Sequence, residues 1–310
     1  MEFTPWLEAV ARPLVAMFQP EQRIFWPWLL LSAPLGFAVC ALRMRGIAPG
    51  WSLFKRSFLS PHLWFGASAR LDIKLMVVNG LLKVVASAPT LLPLAFVSAL
   101  VTSLLELPTG GGLDLVIPSW GITGLYTVAM FVVGDLSRFL LHRWMHNNPR
   151  LWKIHQVHHS ATSMNPITVY RVHPIESFLF GLRGVLAGGL VTGIFIWLFG
   201  AKLSGWDILG VNVLGMVFNA IGANLRHSHV WWGYGKAIER WFISPAQHQL
   251  HHSYASQHFN RNYGTCLSCW DRMTKSLLLS ADESEVDFGV EGAAIDERHT
   301  LRDALLMPFR

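Results

Sequence analysis

Five apolar stretches, separated by polar segments, organise the chain. They cover residues 24–42, 73–105, 121–141, 178–200 and 208–223. A membrane-spanning helix needs about 20 predominantly apolar residues, so the first four stretches are long enough. The second is also long enough to enter a bilayer and return. The fifth is short and contains Asn212 and Asn219, so we expect it to pack against protein. The pattern predicts an all-α integral membrane helix bundle.

The composition supports a membrane protein and argues against nucleic-acid binding. Hydrophobic residues make up 52% of the 310 residues and charged residues only 14%, whereas soluble domains contain about 25% charged residues. The net charge is +6. Because Lys and Arg are scattered between apolar stretches and form no basic run, we interpret them as topology signals and expect no nucleic-acid partner.

The histidines carry the chemical signal. Twelve of the fourteen lie between His142 and His258, and eight of these form one His-x-x-x-His motif and two copies of His-x-x-His-His. In chain order the eight are His142, His146, His155, His158, His159, His248, His251 and His252. Spacings of three and four residues place side chains on one face of a helix. Eight imidazoles suffice for two metal ions, but imidazole alone does not choose among Fe, Zn, Cu and Ni.

Charge asymmetry predicts which side of the membrane these motifs occupy. Arg43, Arg45, Lys55 and Arg56 follow the first stretch, whereas the loop at residues 106–120 contains no Lys or Arg. The positive-inside rule places the first group in the cytoplasm. Alternation along the chain then brings both histidine-rich segments to the cytoplasmic face. We therefore expect a cytoplasmic histidine-rich helical cap, in the inner membrane or the endoplasmic reticulum membrane.

The residues around these motifs extend the pattern. They include Asp135 and Arg138 before the first motif, Asn165-Pro166 and Arg171 to Glu176 after the second, and Asn262 to Gly264 after the third. Over residues 121–275 the order of motifs resembles the sterol desaturase and fatty acid hydroxylase superfamily. The resemblance implies two iron ions and O2 acting on a lipid, fatty acyl or sterol-like substrate, by hydroxylation or desaturation. It also implies electrons from a separate protein, cytochrome b5-like or ferredoxin-like.

Two other functions remain open from the sequence. One is ether-lipid (alkylglycerol) monooxygenase chemistry on the same scaffold. The other is a non-enzymatic, histidine-rich membrane metal transporter or store. A conduction path would need histidines along the spans, whereas these gather at one side of the membrane, so the sequence favours an enzyme.

Further site residues follow from the resemblance and from local chemistry. His173 is a candidate late ligand, or a histidine tied to Glu176. The superfamily usually has one more histidine about twenty residues before the last motif, which makes His227 and His229 candidates; we favour His229 as the ligand. Metal-bound imidazoles normally donate their second N–H to a carboxylate or carbonyl. The supporting candidates are Asp135, Asn165, Glu176 and Asn224.

The sequence suggests three regions. Residues 1–120 form an N-terminal membrane region with two apolar segments, and residues 121–275 form the histidine-containing domain. Residues 276–310 are polar and acidic: residues 280–310 contain eight of the nineteen Asp and Glu residues. We expect residues 280–310 to be a solvated tail.

Overall fold

The structure is a computed structural model that describes residues 15–20, 22–43, 50–86, 94–200, 203–208, 211–280, 286–290 and 300–310. Helices dominate these residues. In chain order they are α1 (Trp26–Arg43), α2 (Gly50–Phe54), α3 (Pro61–Phe65), α4 (Ala67–Ala86), α5 (Leu94–Thr109), α6 (Ser119–Asn147), α7 (Pro149–His159), α8 (Pro174–Phe199), α9 (Val213–Ala220), α10 (Lys236–Glu239), α11 (Pro245–His252), α12 (Cys269–Met273) and α13 (Leu301–Leu306).

Shorter elements connect these helices. A π-helical turn covers Lys55–Leu59, and 3-10 helices cover Ala16–Phe18, Pro166–Tyr170, Ala223–His227, Ser256–His258 and Met307–Phe309. Strands β1 (Asp207–Ile208) and β2 (Val211–Asn212) pair antiparallel. The all-α fold class is therefore confirmed, with one minimal strand pair as an addition.

Three helices are long and apolar enough to cross a membrane. They are α1, α6 and α8, with 18, 29 and 26 residues, and α5 is a shorter apolar helix. These helices confirm a membrane protein. The second apolar stretch divides between α4 and α5, and its residues 87–93 lie outside the described residues.

Helices α6 and α8 run antiparallel and form the centre of the bundle. The Tyr126 hydroxyl lies 2.9 Å from the Thr192 hydroxyl, and the Arg183 guanidinium donates to the Gly134 carbonyl at 3.0 Å. The end of α6 and the start of α8 therefore lie at the same end of the bundle. The end of α6 carries His142 and His146, and α8 begins directly after His173. The bundle therefore brings these histidines to the same end.

Helix α5 packs against α8 through glycines. A Cβ added at Gly189 would lie 2.5 Å from the Val97 Cβ, and one at Gly193 would lie 2.6 Å from the Ser98 carbonyl oxygen. Thr102 also donates to the Gly193 carbonyl at 3.0 Å. Small residues let helix backbones approach closely where lipid provides no hydrophobic driving force. The apolar run of α8 is thus also a packing surface.

The fifth apolar stretch does not form a spanning helix. Helix α9 has eight residues, about 12 Å at 1.5 Å per residue, against a hydrocarbon core of about 30 Å. The chain before α9 lies at the level of Thr127, whose hydroxyl accepts from Trp206 N at 2.7 Å and whose carbonyl accepts from Asn212 at 3.1 Å. Thr127 is already inside α6, so the chain starts α9 part of the way along the bundle. It can therefore return to the histidine-containing end without crossing the full membrane thickness.

The C-terminal region is only partly a solvated tail. Ala304 and Met307 are buried and pack with Leu71, Leu75 and Val157. Apolar side chains at spacings of three and four residues give α13 one apolar face. The acidic composition of residues 276–310 concealed this face, so the expectation of a solvated region is wrong for residues 300–310.

Candidate metal centre

A tight turn between α6 and α7 creates the first half of the site. The Asn148 side chain accepts from the Arg150 and Leu151 amides at 3.0 and 3.2 Å, and Pro149 occupies the first helical position. Asn is a favoured N-cap and Pro a favoured first residue of a helix. The turn therefore folds the histidines of α7 back against those at the end of α6.

Helix α11 provides the second half. Ser244 caps it by accepting from Gln247 N at 3.1 Å, and the Gln247 side chain accepts from Ser244 N at 3.0 Å. This reciprocal arrangement is a capping box. The Gln249 side chain donates to the carbonyls of Leu225 and Ser228 at 3.1 and 2.8 Å. Gln249 therefore fixes the 3-10 helix Ala223–His227 against α11.

Nine histidines meet in two adjacent groups. The potential ligand atoms within each group lie within 4.8 Å of one another. The first cluster is His142, His146, His155, His159 and His251, and the second cluster is His158, His227, His248 and His252. The clusters touch, because the rings of His159 and His252 stack at 4.5 Å between centroids.

Hydrogen bonds fix the orientation of four of these rings through Nδ1. The acceptors are one carboxylate and three backbone carbonyls. The pairs are His142 with the Tyr263 carbonyl at 2.7 Å, His155 with Glu176 Oε1 at 2.8 Å, His158 with the Arg171 carbonyl at 3.1 Å, and His251 with the Arg261 carbonyl at 2.7 Å. Carbonyls and carboxylates only accept, so Nδ1 carries the proton and Nε2 of the neutral ring carries a lone pair.

These lone pairs face one another at short range. The Nε2 atom of His142 lies 3.0 Å from that of His155 and 3.1 Å from that of His251. Since none of the three carries a proton in the neutral ring, these contacts are not hydrogen bonds. Imidazole nitrogen binds a first-row divalent metal at about 2.1 Å, so two nitrogens at right angles around the metal lie about 3.0 Å apart. The spacing of the first cluster thus fits a shared cation.

The second cluster contains buried ring nitrogens without a partner among the described residues. The Nε2 atoms of His227 and His248 lie 3.2 Å apart. Within the described part of the chain, both ring nitrogens of His252 and Nδ1 of His248 are buried without a hydrogen-bond partner, as is Nε2 of His146 in the first cluster. Buried polar atoms are normally paired. A bound metal ion would satisfy the inward-facing nitrogens.

Burial keeps the imidazoles neutral. It lowers the pKa of His158 to about 3, and it lowers the pKa of His155, His159 and His252 well below the usual histidine value. In each case neighbouring histidines lower the pKa further. Metal binding needs the deprotonated ring, so the environment presents these rings in the form that binds.

Two sequence-predicted ligands lie outside both clusters. His173 is the N-cap of α8: its Nδ1 accepts from Ile175 N at 3.2 Å and its Nε2 donates to the Leu305 carbonyl at 3.2 Å. It does not contact Glu176 through either nitrogen. Both nitrogens are occupied by backbone groups, so its position is that of a helix-capping residue.

The structure places His227 in the second cluster and His229 outside both clusters. His227 ends the 3-10 helix and joins the second cluster. Ser228 is extended, with φ −153° and ψ 172°, so His229 points elsewhere. The Nε2 atom of His229 accepts from Met164 N at 3.2 Å. The centroid of its ring lies 5.1 Å from that of the Phe288 ring. The geometry therefore favours His227 as the additional ligand.

The four predicted supporting residues have different positions. Glu176 contacts a cluster histidine directly, as described. Asp135 accepts from Cys266 N, Leu267 N and Trp270 Nε1 at 3.0, 3.1 and 3.0 Å, and therefore ties α6 to the loop that supplies the Tyr263 carbonyl. No ion pair between Asp135 and Arg138 occurs among the described residues.

The two asparagines are less directly placed. Asn165 caps the 3-10 helix Pro166–Tyr170, accepting from Ile167 N at 2.8 Å and donating to the Leu63 carbonyl at 2.6 Å. Asn224 lies in the 3-10 helix that carries His227, and its Nδ2 is buried without a partner among the described residues. Neither asparagine donates to a cluster histidine.

Several positioning groups escaped the sequence interpretation. The Arg171 guanidinium pairs with Asp72 at 2.9 Å and donates to the Val157 and Ser160 carbonyls at 3.0 and 3.1 Å. Arg171 thus holds the end of α7, and its own carbonyl orients His158. A charge at position 72 beside an apolar stretch was the available signal. The carbonyls of Tyr263 and Arg261 have no side-chain signal.

A cavity of about 550 Å³ reaches the first cluster. His146, His159 and His251 line it together with Trp152 and Tyr254. Trp152 packs on the rings of His146 and His159, with centroids 5.0 and 5.3 Å apart. Ligand pockets have volumes of about 300–1,000 Å³. The cavity therefore leaves space beside this cluster for a molecule that is not protein.

The histidine-containing region of the chain is similar to a known protein family and to several known proteins. Residues 127–276 match the family model described as fatty acid hydroxylase. Ornithine lipid hydroxylase OlsE of Rhizobium tropici is 26% identical over 164 residues, covering 52% of this chain and 44% of that protein. Delta(7)-sterol 5(6)-desaturase of Eremothecium gossypii is 26% identical over 163 residues, covering 52% and 40%. Alkylglycerol monooxygenase of Danio rerio is 25% identical over 153 residues, covering 49% and 30%.

The chain spans less than half the length of these relatives. No solved structure matches the chain significantly.

Proposed function

We propose that this chain, which belongs to the sterol desaturase and fatty acid hydroxylase superfamily through residues 127–276, is a membrane-bound di-iron oxygenase that oxidises a C–H bond of a lipid. The supporting observation is the convergence of nine histidines in two adjacent clusters, with the unprotonated Nε2 atoms of His142, His155 and His251 facing one another in the first. We assign the two irons to these clusters, with nine ligands: the eight motif histidines and His227. His173 and His229 are left out of this assignment.

Iron is preferred because the relatives are hydroxylases, desaturases and a monooxygenase, and because O2 chemistry requires a redox-active metal, which zinc is not. When bound, the two irons supply O2 activation with electrons from an external donor. The neutral ligand rings and the Glu176 contact hold the ions. A metal store has no need of two buried clusters with fixed ring orientations.

The chain's own residues have separable tasks in this function. Glu176 holds the His155 ring through Nδ1 at 2.8 Å, which makes its Nε2 a better electron donor to the metal. Asp135 and Arg171 are positioning residues: Asp135 holds the loop whose Tyr263 carbonyl orients His142, and the carbonyl of Arg171 itself orients His158. The cavity beside His146 and His251 admits the reacting part of the substrate.

We also propose the finer assignments of topology and partners. The chain crosses the membrane several times, and the clusters lie on the cytoplasmic side, as the basic residues after the first apolar stretch indicate. Residues 121–275 form the oxygenase domain, after a membrane region at residues 1–120. Electrons come from a separate cytochrome b5-like or ferredoxin-like protein.

The test combines metal analysis with product analysis. Purified protein should contain about two irons per chain by plasma mass spectrometry. With O2 and reductant it should convert a membrane lipid to a product with one added oxygen, or with two hydrogens fewer. His155→Ala should lose iron and activity, whereas His62→Ala, an exposed histidine outside both clusters, should retain both. Full turnover without O2, or with zinc alone, would contradict the proposal.

A further inference from the structure

The loop at residues 261–264 presents two backbone carbonyls to ligands of the first cluster. The Tyr263 carbonyl accepts from His142 Nδ1, and the Arg261 carbonyl accepts from His251 Nδ1, both at 2.7 Å. Two of the five histidines of this cluster are therefore oriented by one loop. A group that fixes the peptides of this loop also fixes those histidines.

One peptide group connects Asp271, a fully buried residue of α12, to His142. The peptide between Tyr263 and Gly264 accepts from His142 through its C=O at 2.7 Å and donates to Asp271 Oδ2 through its N–H at 2.7 Å. No cis peptide occurs among the described residues, and the C=O and N–H of a trans peptide point in opposite directions. Asp271 and His142 therefore lie on opposite sides of the same planar group, joined by two hydrogen bonds in series.

The surroundings of Asp271 fit a carboxylate. Its Oδ1 accepts from Tyr263 N at 2.9 Å and from the Ser276 hydroxyl at 2.6 Å, in addition to the Gly264 contact at Oδ2. A protonated carboxyl would need an acceptor for its own hydrogen, whereas these three partners are donors. Burial raises the pKa of Asp271, and the hydrogen bonds from the same three donors oppose that shift. The group therefore presents a negative charge to the peptide.

Gly264 makes this contact possible. A Cβ added at position 264 would lie 2.7 Å from the Leu267 carbonyl oxygen and 2.9 Å from Asp271 Oδ2. Gly264 is not among the glycines with positive φ, so the requirement for glycine is steric. The absent side chain lets the carboxylate reach the backbone.

The other carbonyl of the loop belongs to a peptide that leads to a neutral group. The N–H of Asn262 shares a peptide with the Arg261 carbonyl and donates to the Ser276 carbonyl at 3.0 Å. Of these two peptides, the one that holds His142 is the one that leads to a charge. Hydrogen bonds in series polarise one another, and a negative partner behind an imidazole makes it a stronger metal ligand.

We propose that Asp271 is a positioning residue for the metal of the first cluster and acts on His142 through the Tyr263–Gly264 peptide. Its carboxylate polarises that peptide and fixes its carbonyl, so His142 keeps Nε2 turned towards the cluster and donates more strongly to the ion. Glu176, by contrast, contacts His155 directly. The inference rests on the proposed function for the presence of a metal, but it requires neither turnover nor one particular metal.

Co²⁺ binding tests this on the full chain, purified in neutral detergent, stripped of metal and kept anaerobic. Imidazole sites bind Co²⁺ as they bind other first-row divalent metals, and its visible absorption depends on its ligands. The wild type should bind about two ions. Asp271→Asn should weaken one of the two binding steps about 10–100-fold and shift the absorption of that ion, with the other step unchanged. In a His142→Ala background the same substitution should change the affinity by less than about twofold, because the route to the metal is already absent.

Glu239→Gln is the matched control for the loss of a buried carboxylate. Glu239 is as fully buried as Asp271 and likewise accepts from two backbone amides and a hydroxyl, those of Tyr234, Ser280 and Ser244, at 3.1, 2.8 and 2.8 Å. These amides belong to peptides other than those that orient the cluster histidines. Glu239→Gln should lower Tm and leave both Co²⁺ binding steps and the absorption as in the wild type.

The outcomes separate this inference from folding and from the proposed function. Wild-type affinity and absorption in Asp271→Asn would overturn it, as would equal weakening of both steps or an undiminished effect in the His142→Ala background. If Asp271→Asn does not fold, Asp271→Ser removes the charge without turning an amide N–H2 towards the backbone donors. A wild type that binds two Co²⁺ ions but, with iron, oxidises no lipid would contradict only the proposed function, and one that binds no Co²⁺ would contradict both.

Discussion

Replacing His227 and His229 separately by Ala tests the ligand assignment most directly. The two residues are two positions apart, so the variants differ little in chain location. His227 lies in the second cluster, with Nε2 3.2 Å from that of His248. His229 instead accepts from Met164 N at 3.2 Å. We expect His227→Ala to deplete iron and His229→Ala to retain it.

The expected magnitudes follow from these contacts. Changing a residue that only supports a ligand costs about 10–100-fold in metal affinity, so removing a ligand should cost at least about 100-fold, or about 2.8 kcal/mol. Loss of His227 reduces the second cluster from four imidazoles to three. Loss of His229 leaves the buried Met164 N–H without its acceptor, which costs about 1–3 kcal/mol of folding stability.

The two assays are iron content after dialysis and thermal unfolding. His227→Ala should fall from about two irons towards one per chain. His229→Ala should keep wild-type iron with a lower Tm. Equal iron loss in both variants would mean that both histidines bind metal, and iron loss from His229→Ala alone would refute the assignment.

Three further predictions concern two supporting residues and one helix contact. Glu176→Gln should weaken iron binding about 10–100-fold with little loss of secondary structure by circular dichroism, whereas equal iron affinity would exclude a supporting role. Asp135→Asn should lower Tm by weakening three hydrogen bonds while iron is initially retained; immediate iron loss would instead indicate a direct role at the metals. Gly193→Leu should destabilise the bundle by about 1–3 kcal/mol, because even a Cβ there would lie 2.6 Å from the Ser98 carbonyl, and an unchanged Tm would contradict the close helix contact.

Regular helical spacing explains what the sequence predicted well. The eight motif histidines follow three- and four-residue spacings, which hold in any α-helix, and all eight enter the two clusters. Helices α6 and α8 likewise follow long apolar runs. The distinction between His227 and His229 depended on a single backbone conformation. The chain becomes extended at Ser228, and the residue types at this position do not predict that change in backbone conformation.

Other features depend on tertiary contacts that the sequence does not display. Three of the four groups that orient the histidines through Nδ1 are backbone carbonyls, which every residue possesses. The short return of the fifth apolar stretch depends on Thr127, which binds Trp206 and Asn212 well inside α6. Apolar composition predicts burial at that position without telling whether lipid or protein provides it.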